Sequence, residues 1–506
     1  MKGNLHFCDK ALHREDFELQ VRKIATVLKN QGVQTGDTLA ILMRNAPEYL
    51  AVIEACRYVE TYYVPLNWHA SSQEIVHIIE DSKTAVLIGH SDLINGLSSE
   101  DLSQIRVLQF PTPDEVVQRY ALPPMASNPP LAEDLIELLQ STQAIDSMPK
   151  RFRGMFSYTS GSTGRPKGIK REVDESAPDK YEVYRGLSKS LMKLEPGDRF
   201  YVSAPMYHSA PNALSMSCIA SGYADIYIEP KFDAEQFLAD IDRYKITHTY
   251  IVPTMMVRLL KLPEPVKKAY DVSSLRFALS TGSACPADVK QAMIDWFGPI
   301  FYESYGASEI GFMTLISSSE AADKPGSVGK VLPGGSIKIL DDEKQPLHAG
   351  ESGSIYVYLP MFGPFKYTNA EGDLADLHVD GHTTVGDVGY VDEDGYLFIN
   401  DRKKDMIISG GANIFPAEIE AVLIDMPDIA DCAVFGAPHA EFGETIVVAV
   451  QCAAGNSLTL EQIHEFLEGK LARFKFPRKL DLHDALPRED SGKIFKQRLR
   501  APYWSK

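Results

Sequence analysis

The sequence predicts an α/β protein. Its large N-terminal domain is built of α/β subdomains plus a β-rich unit, and a small α+β C-terminal domain follows. Three observations carry this reading. Apolar runs of strand length alternate with helical apolar spacings through the first part of the chain and again after a glycine-rich loop. From about Ser327 to Asn400 the helical period fades, and short strands alternate with Pro/Gly turns. At 506 residues the chain is too long for one core. The expected boundary divides residues 1–400 from 401–506.

The elements follow in order. Phe17, Val21, Ile24, Ala25 and Leu28 have helical spacing. Leu39 to Leu42 reads as a buried strand, and Pro47 opens a second helix. Ser71-x-x-Glu74 has the form of a capping box ahead of Ile75, Ile78 and Ile79. Ala85 to Ile88 is another strand. Such alternation implies a parallel sheet with helices on both faces. The pattern resumes with a helix over Asp233–Tyr244, a strand over Thr247–Val252, and a strand over Leu275–Ser280 before a helix begun by Pro286. Thr281 to Ala284 then lies beyond a strand's carboxyl end, where ligands of such sheets bind. Ile337–Leu340 and Ile355–Tyr358 are strands of the β-rich unit. The last part has a helix near Pro416–Ile424, strands near Cys432–Phe435 and Thr445–Gln451, and a helix near Leu460–Leu471.

Thr159-Ser160-Gly161-Ser162-Thr163-Gly164-Arg165-Pro166-Lys167-Gly168 is the densest chemical signal. Glycines let backbone N–H groups approach an anion, and successive amides form a nest. Hydroxyls add donors, and Lys167 adds a charge for terminal phosphates. The segment is not a Walker A motif, because Pro166 stands where the second glycine belongs. A plain polar loop is the competing reading.

Composition narrows the function. The chain has 69 acidic and 51 basic residues, a formal charge of −18. That argues against non-specific nucleic-acid binding and against a polybasic membrane anchor. The six cysteines form no C-x-x-C pair, which gives a disulfide framework or zinc site little support. The N-terminus is too polar for a signal peptide, and no apolar run reaches the ~18 residues of a membrane span. The expectation is a cytoplasmic protein.

With the elements placed, the motifs resemble one family. Tyr158 to Gly168, Pro205-Met206-Tyr207-His208, Tyr305-Gly306-Ala307-Ser308-Glu309, Thr384-Val385-Gly386-Asp387, Asp401 to Asp405, Gly410-Gly411 and Ser491-Gly492-Lys493 occur in the order seen in adenylate-forming acyl-CoA synthetases. The resemblance covers nearly the whole chain and looks closest to ligases of fatty and bile-type acids.

It implies two half-reactions. A carboxylate attacks the α-phosphate of ATP, giving acyl-AMP and pyrophosphate. A thiol, usually that of coenzyme A, then takes the acyl group and releases AMP. The resemblance assigns the phosphates to Thr159, Ser160, Gly161, Ser162, Thr163, Gly164 and Lys167. It assigns Mg²⁺ to Glu309, adenine to Tyr305, Gly306, Gly282, Ser283 and Ala284, and the AMP phosphate to Ser308, where the family usually has threonine. Asp387 and Arg402 would hold the ribose. Lys493 would neutralise the α-phosphate and acyl oxygens. Asp401 would be the hinge of a domain rotation that brings Gly410 and Gly411 against the pantetheine of CoA. His208 would gate or contact the carboxylate.

The acid pocket is expected among Tyr207, His208, Asn212, Ala213, Thr254, Gly282, Ile310 and Gly311, which offer no obvious second cation. An apolar acid follows, with a medium or long fatty acid first and an aryl or steroidal acid behind it. A stand-alone enzyme loading a carrier protein, a non-catalytic acyl- or nucleotide-binding protein, and a homodimer are left open.

Overall fold

The computed structural model describes residues 3–98, 100–102, 105–123, 132–159, 166–171, 173, 179–282, 285, 287–360, 365–368, 377–402, 405–409, 412–453, 456–488 and 494–504. The side chains of Thr159, Ala287, Arg402 and Asn413 are outside this set. So are Ser160, Gly161, Ser162, Thr163, Gly164, Ser283, Ala284, Gly410, Gly411 and Lys493.

Two parallel sheets form the scaffold. The first runs Tyr62–Pro65, Thr38–Leu42, Thr84–His90, Arg106–Phe110 and Glu133–Asp134, all parallel. Its inner strands are apolar on both faces, as helix-covered parallel strands must be: Thr38–Leu42 is buried throughout. The helix Pro47–Val59 starts with its proline in the first turn, and Ser71 with Glu74 forms the expected capping box of Ser72–Asp81.

The second sheet places Leu5–Phe7, Ala224–Ile228, Asp198–Val202, His248–Tyr250, Phe277–Ser280 and Phe301–Glu303 side by side and parallel. Asp233 caps the helix Ala234–Tyr244 by accepting from the Gln236 amide.

The structure adds detail to the sequence reading in four places. The polar N-terminus supplies two strands at the sheet's edge: Leu5–Phe7, with Leu5 opposite Ile226, and Lys10–Leu12, antiparallel outside it. The β-rich region is not a separate sheet. Thr314–Ser317 pairs antiparallel with Phe301–Glu303, and Ser327–Val331, Leu397–Arg402, Asp387–Val391 and Gly353–Tyr358 continue outward from it. Asp401 and Arg402 pair with Val388 and Asp387, which carries this sheet two residues past position 400. The helix expected to reach Leu471 ends at Leu467, because Glu468 turns extended at ψ 127°.

Beyond this, Ile407–Ser409, Ala412–Ile414, Ile429–His439, Gly443–Cys452 and Lys479–Leu482 make a mixed five-stranded sheet. It has its own core of Ile407, Ile414, Ile419, Leu423, Val434, Val448, Ile463 and Leu467. A separate core allows this part to keep its shape while moving as a unit. Among the described residues, no helix is long and apolar enough to cross a membrane.

Candidate functional site

A three-stranded sheet holds the glycine-rich segment. Ser157–Thr159 pairs antiparallel with Lys167–Lys170, with Thr159 opposite Lys167 and Tyr158 opposite Gly168. Lys366–Tyr367 flanks the other side of Lys167–Lys170. The segment therefore joins two antiparallel strands. A P-loop joins a strand to a helix, so the topology agrees with the sequence in excluding one.

Asp81, at the end of the Ser72–Asp81 helix, ties this sheet to the first α/β unit. Its Oδ2 accepts the Tyr158 hydroxyl at 2.6 Å and the Thr368 hydroxyl at 2.5 Å. Thr368 in turn accepts the Gly168 amide at 3.1 Å.

Glu309 lies beside this sheet, in a tight turn. Gly306–Ala307 and Gly311–Phe312 form a two-residue antiparallel pair, with Ala307 opposite Gly311. The backbones meet so closely that a Cβ on Gly306 would lie 2.3 Å from the Gly311 carbonyl oxygen. Gly311 adopts φ +70°, a conformation glycine favours.

Two side chains from the glycine-loop sheet reach this turn. Arg171 Nη2 donates to the carbonyl oxygens of Ser308 at 3.0 Å and Glu309 at 2.5 Å. The Tyr367 hydroxyl donates to Glu309 Oε1 at 3.1 Å. Burial holds the Arg171 guanidinium down to about 10 against the opposing charge of Glu309. Burial, then Glu309, pushes the Tyr367 phenol up. Neither residue stood out in the sequence. Arg171 follows Lys170 as an ordinary basic pair, and Tyr367 sits in a proline- and glycine-rich stretch.

Tyr305 precedes the turn. Its hydroxyl donates to Asp387 Oδ2 at 2.5 Å, and Asp387 is only 4% exposed. Asp387 begins its strand opposite the backbone of Arg402. Nearby, at the carboxyl ends of the parallel strands, Thr281 Oγ1 donates to the Ser304 carbonyl at 2.6 Å, and Gly282 is exposed. Glu303 is paired with Lys290 at 2.8 Å, and burial pushes its carboxyl up despite the lysine. The structure thus groups Tyr305, Gly306, Ser308, Glu309, Ile310, Gly311 and Asp387 around one turn.

A second group surrounds His208. Its backbone caps the helix Ser209–Ser221, and its ring lies 4.2 Å from that of Tyr207. Trp68 meets Tyr207 edge-on at 6.2 Å and is covered by the Arg44 guanidinium at 5.0 Å. Asn45, unnoticed in the sequence, accepts the Met206 amide and donates to the Ala204 and Glu229 carbonyls. It fixes the wall of this group to the first sheet.

Ala213 and Thr254 are half-buried, and Ile310 is buried. Asn212 was also expected in the pocket wall. It is fully buried, and its amide is committed to the Tyr63 hydroxyl at 2.8 Å and the Met206 carbonyl at 3.0 Å. Asp401 lies outside both groups. Its Oδ2 accepts the Ala417 amide at 2.9 Å, in the first turn of the helix Pro416–Leu423.

The comparisons with known proteins fit this geometry. Residues 7–363 match the AMP-binding enzyme family, and residues 418–493 match the AMP-binding enzyme C-terminal domain. The chain belongs to the AMP-binding enzyme family. It is 30% identical to the indoleacetate–CoA ligase of Aromatoleum aromaticum, over 99% of this chain and 94% of that protein. It is 30% identical to a long-chain-fatty-acid–CoA ligase of Mycobacterium tuberculosis, over 95% of this chain and 91% of that protein. Among solved structures, the o-succinylbenzoate coenzyme A synthetase of Bacillus subtilis, in complex with ATP and a magnesium ion, superposes with a TM-score of 0.82 at 25% identity, covering 98% of this chain and 96% of that one.

The residues fit the magnesium that such an AMP-binding enzyme takes. Mg²⁺ is a hard cation that usually binds one or two carboxylates plus substrate phosphates. Glu309 would supply one carboxylate. Its Oε1 accepts the Tyr367 hydroxyl.

Proposed function

We propose that this AMP-binding enzyme is an AMP-forming ligase that joins an apolar carboxylic acid to coenzyme A. The acid is ionised at neutral pH and needs no base. A carboxylate oxygen attacks the α-phosphorus of ATP and the bond to the β-phosphate oxygen breaks, giving acyl-AMP and pyrophosphate. The CoA thiol then loses its proton, its sulfur bonds to the acyl carbon, and AMP leaves with the carboxyl oxygen.

The observation that carries this reading is the Tyr305–Asp387 hydrogen bond beside the Glu309 turn, next to the strands that bear the glycine segment. A buried carboxylate can accept both hydroxyls of a ribose. In this reading Asp387, with Arg402, holds the ribose, and the Tyr305 ring covers adenine along Gly306, Gly282, Ser283 and Ala284. Ser308 reaches the α-phosphate.

The segment Thr159 to Gly164, with Thr163 and Lys167, holds the β- and γ-phosphates by amides and hydroxyls. Such preorganised donors act where charge spreads over phosphate oxygens. Glu309 holds Mg²⁺, whose chemistry when bound is neutralisation of phosphate charge. Lys493 stabilises the charge between phosphate and acyl group. Asp401 is the pivot that exchanges Lys493 for Gly410 and Gly411 between half-reactions.

The acid occupies the space walled by Tyr207, His208, Ala213, Thr254, Ile310 and Gly311. The rings of Trp68, Tyr207 and His208 gather at that wall. Aromatic faces and edges reward a flat ring. We therefore put a ring-bearing acid ahead of the fatty acid that the sequence alone put first.

The test is a panel of aryl, arylacetic and chain-length-graded fatty acids with ATP, Mg²⁺ and CoA, followed by mass spectrometry of thioester and AMP. Turnover of indole- or phenylacetic acids above fatty acids supports the ring-bearing reading. Preference for fatty acids restores the other order. Acyl-AMP without thioester makes CoA the wrong acceptor. No AMP from any acid removes the ligase reading.

A further inference from the structure

Glu309 is gripped from two neighbouring strands of one small sheet. Arg171 continues the strand Lys167–Lys170, which leaves the glycine segment. Tyr367 lies on the adjacent strand, opposite Ile169. Arg171 is 8% exposed, and two of its donated bonds fix the backbone of Ser308 and Glu309. Its own carbonyl accepts the buried Tyr62 hydroxyl at 3.1 Å. Tyr367 fixes the Glu309 carboxylate itself, at Oε1. On the far side, Asp81 holds Tyr158 and Thr368, one residue from each outer strand's site contact. The same sheet therefore carries the glycine segment at one end and clamps Glu309 at its edge.

This arrangement does more than satisfy a buried arginine. A buried guanidinium needs hydrogen bonds somewhere, but any carbonyls would serve. Here two of its donated bonds go to the Glu309 turn, and an independent hydroxyl takes the carboxylate of that residue. A ligand carboxylate must be held within about 0.5 Å of its working position. A glutamate on a two-glycine turn has little of its own to hold it there. Neighbouring strands, by contrast, keep a spacing of about 4.8 Å.

We propose that Arg171 and Tyr367 are positioning residues. They hold the Glu309 carboxylate in place against the three-stranded sheet whose strands flank the glycine segment. The proposal rests on the reading that Glu309 holds Mg²⁺. The residues act on binding of the metal–nucleotide pair and leave binding of the bare nucleotide alone.

The experiment uses the full chain. ATP affinity is measured by calorimetry with excess EDTA and with Mg²⁺, and Mn²⁺–ATP binding is followed by electron paramagnetic resonance. Thermal melts check folding. Tyr367→Phe, which removes one hydroxyl, is expected to cut the metal-dependent gain in ATP affinity by about tenfold, while metal-free affinity stays within about twofold. Arg171→Met is expected to cut the gain further, and Arg171→Lys to restore part of it. In a Glu309→Gln background, Tyr367→Phe is expected to add nothing, because coupled residues are not additive.

Equal losses with and without metal would overturn the proposal, as would a Tyr367→Phe effect that persists undiminished in the Glu309→Gln chain. If Glu309→Gln alone leaves the metal-dependent gain intact, the reading of Glu309 fails first and the proposal goes with it. If the Arg171 variants do not fold, Tyr367→Phe decides alone.

Discussion

Gly306 shows how little freedom the site allows at the level of one residue. Its missing side chain lets the Gly311 carbonyl approach, and an added Cβ would also come within 3.2 Å of the Phe312 Cα. Both neighbours are backbone, so neither can swing aside. The turn must open instead, and the turn carries Glu309. Gly306→Ala is therefore expected to cost about 1–3 kcal/mol of stability, the usual range for overpacking. It is also expected to depress acid-dependent pyrophosphate release at least tenfold, or about 1.4 kcal/mol. Melting curves and a pyrophosphate assay measure the two effects. Normal pyrophosphate release from the alanine variant would show that the Glu309 turn has no part in adenylation. The glycine itself was legible in the sequence, since the Tyr305–Glu309 motif marks it. Its partner Gly311 was read only as pocket wall, because the contact between the two is a matter of pairing register.

Whole elements were legible where their signal is local. The Ser71–Glu74 capping box, Pro47 at a helix start and the Asp233 cap all sit within four residues of the groups they satisfy. The N-terminal strand had no such signal. Leu5–Phe7 is three residues long, and its meaning lies in Ala224–Ile228, more than two hundred residues away. Arg171 and Tyr367 escaped for the same reason, since their shared target is distant from both in sequence. The hidden strand makes a prediction. It covers the edge of Ala224–Ile228, and uncovered edges pair with other chains. A chain lacking residues 1–12 is expected to melt lower and to scatter light increasingly with concentration. Unchanged melting and a concentration-independent scattering signal would mean that the strand only decorates the edge.

At the scale of the whole molecule, pH couples to stability through two buried groups, Glu229 and His90. Glu229 sits at the carboxyl end of Ala224–Ile228, 3.3 Å from Arg119. Burial, then Asp240, pushes its carboxyl from 4.5 up to about 7. Between those values the native state binds more protons than the unfolded chain, so this group's contribution falls as pH rises. The slope is on the order of 1 kcal/mol per pH unit. His90 works the other way, because burial lowers it from 6.5 to about 4. Its contribution is lost as pH falls through that window. Glu229→Gln isolates the first effect. Relative to the parent, its stability in denaturant titrations is expected to rise from pH 4.5 to 7 and then level off. A flat difference would place the Glu229 carboxyl at its ordinary value.

The largest motion proposed for the molecule also turns on one carboxylate. Asp401 is the next-to-last residue of the strand Leu397–Arg402 in the large sheet, paired to Val388, yet its side chain caps the first turn of Pro416–Leu423 in the small domain. The cap residue Phe415 makes no side-chain bond of its own, so Asp401 meets an amide that would otherwise be orphaned. A pivot at this residue can turn the small domain while that helix stays capped, provided φ and ψ at 401 are free to change. Proline at 401 fixes φ near −65° and removes the carboxylate. Asp401→Pro is expected to slow thioester formation from supplied acyl-AMP at least tenfold, or about 1.4 kcal/mol. Pyrophosphate release should change only about threefold or less, because the chain can still adopt the first arrangement. Asp401→Ala separates the two contributions, since it removes the cap but leaves the backbone free. If alanine slows the second half-reaction as much as proline does, capping rather than rotation governs it. If neither slows it, the small domain does not pivot here.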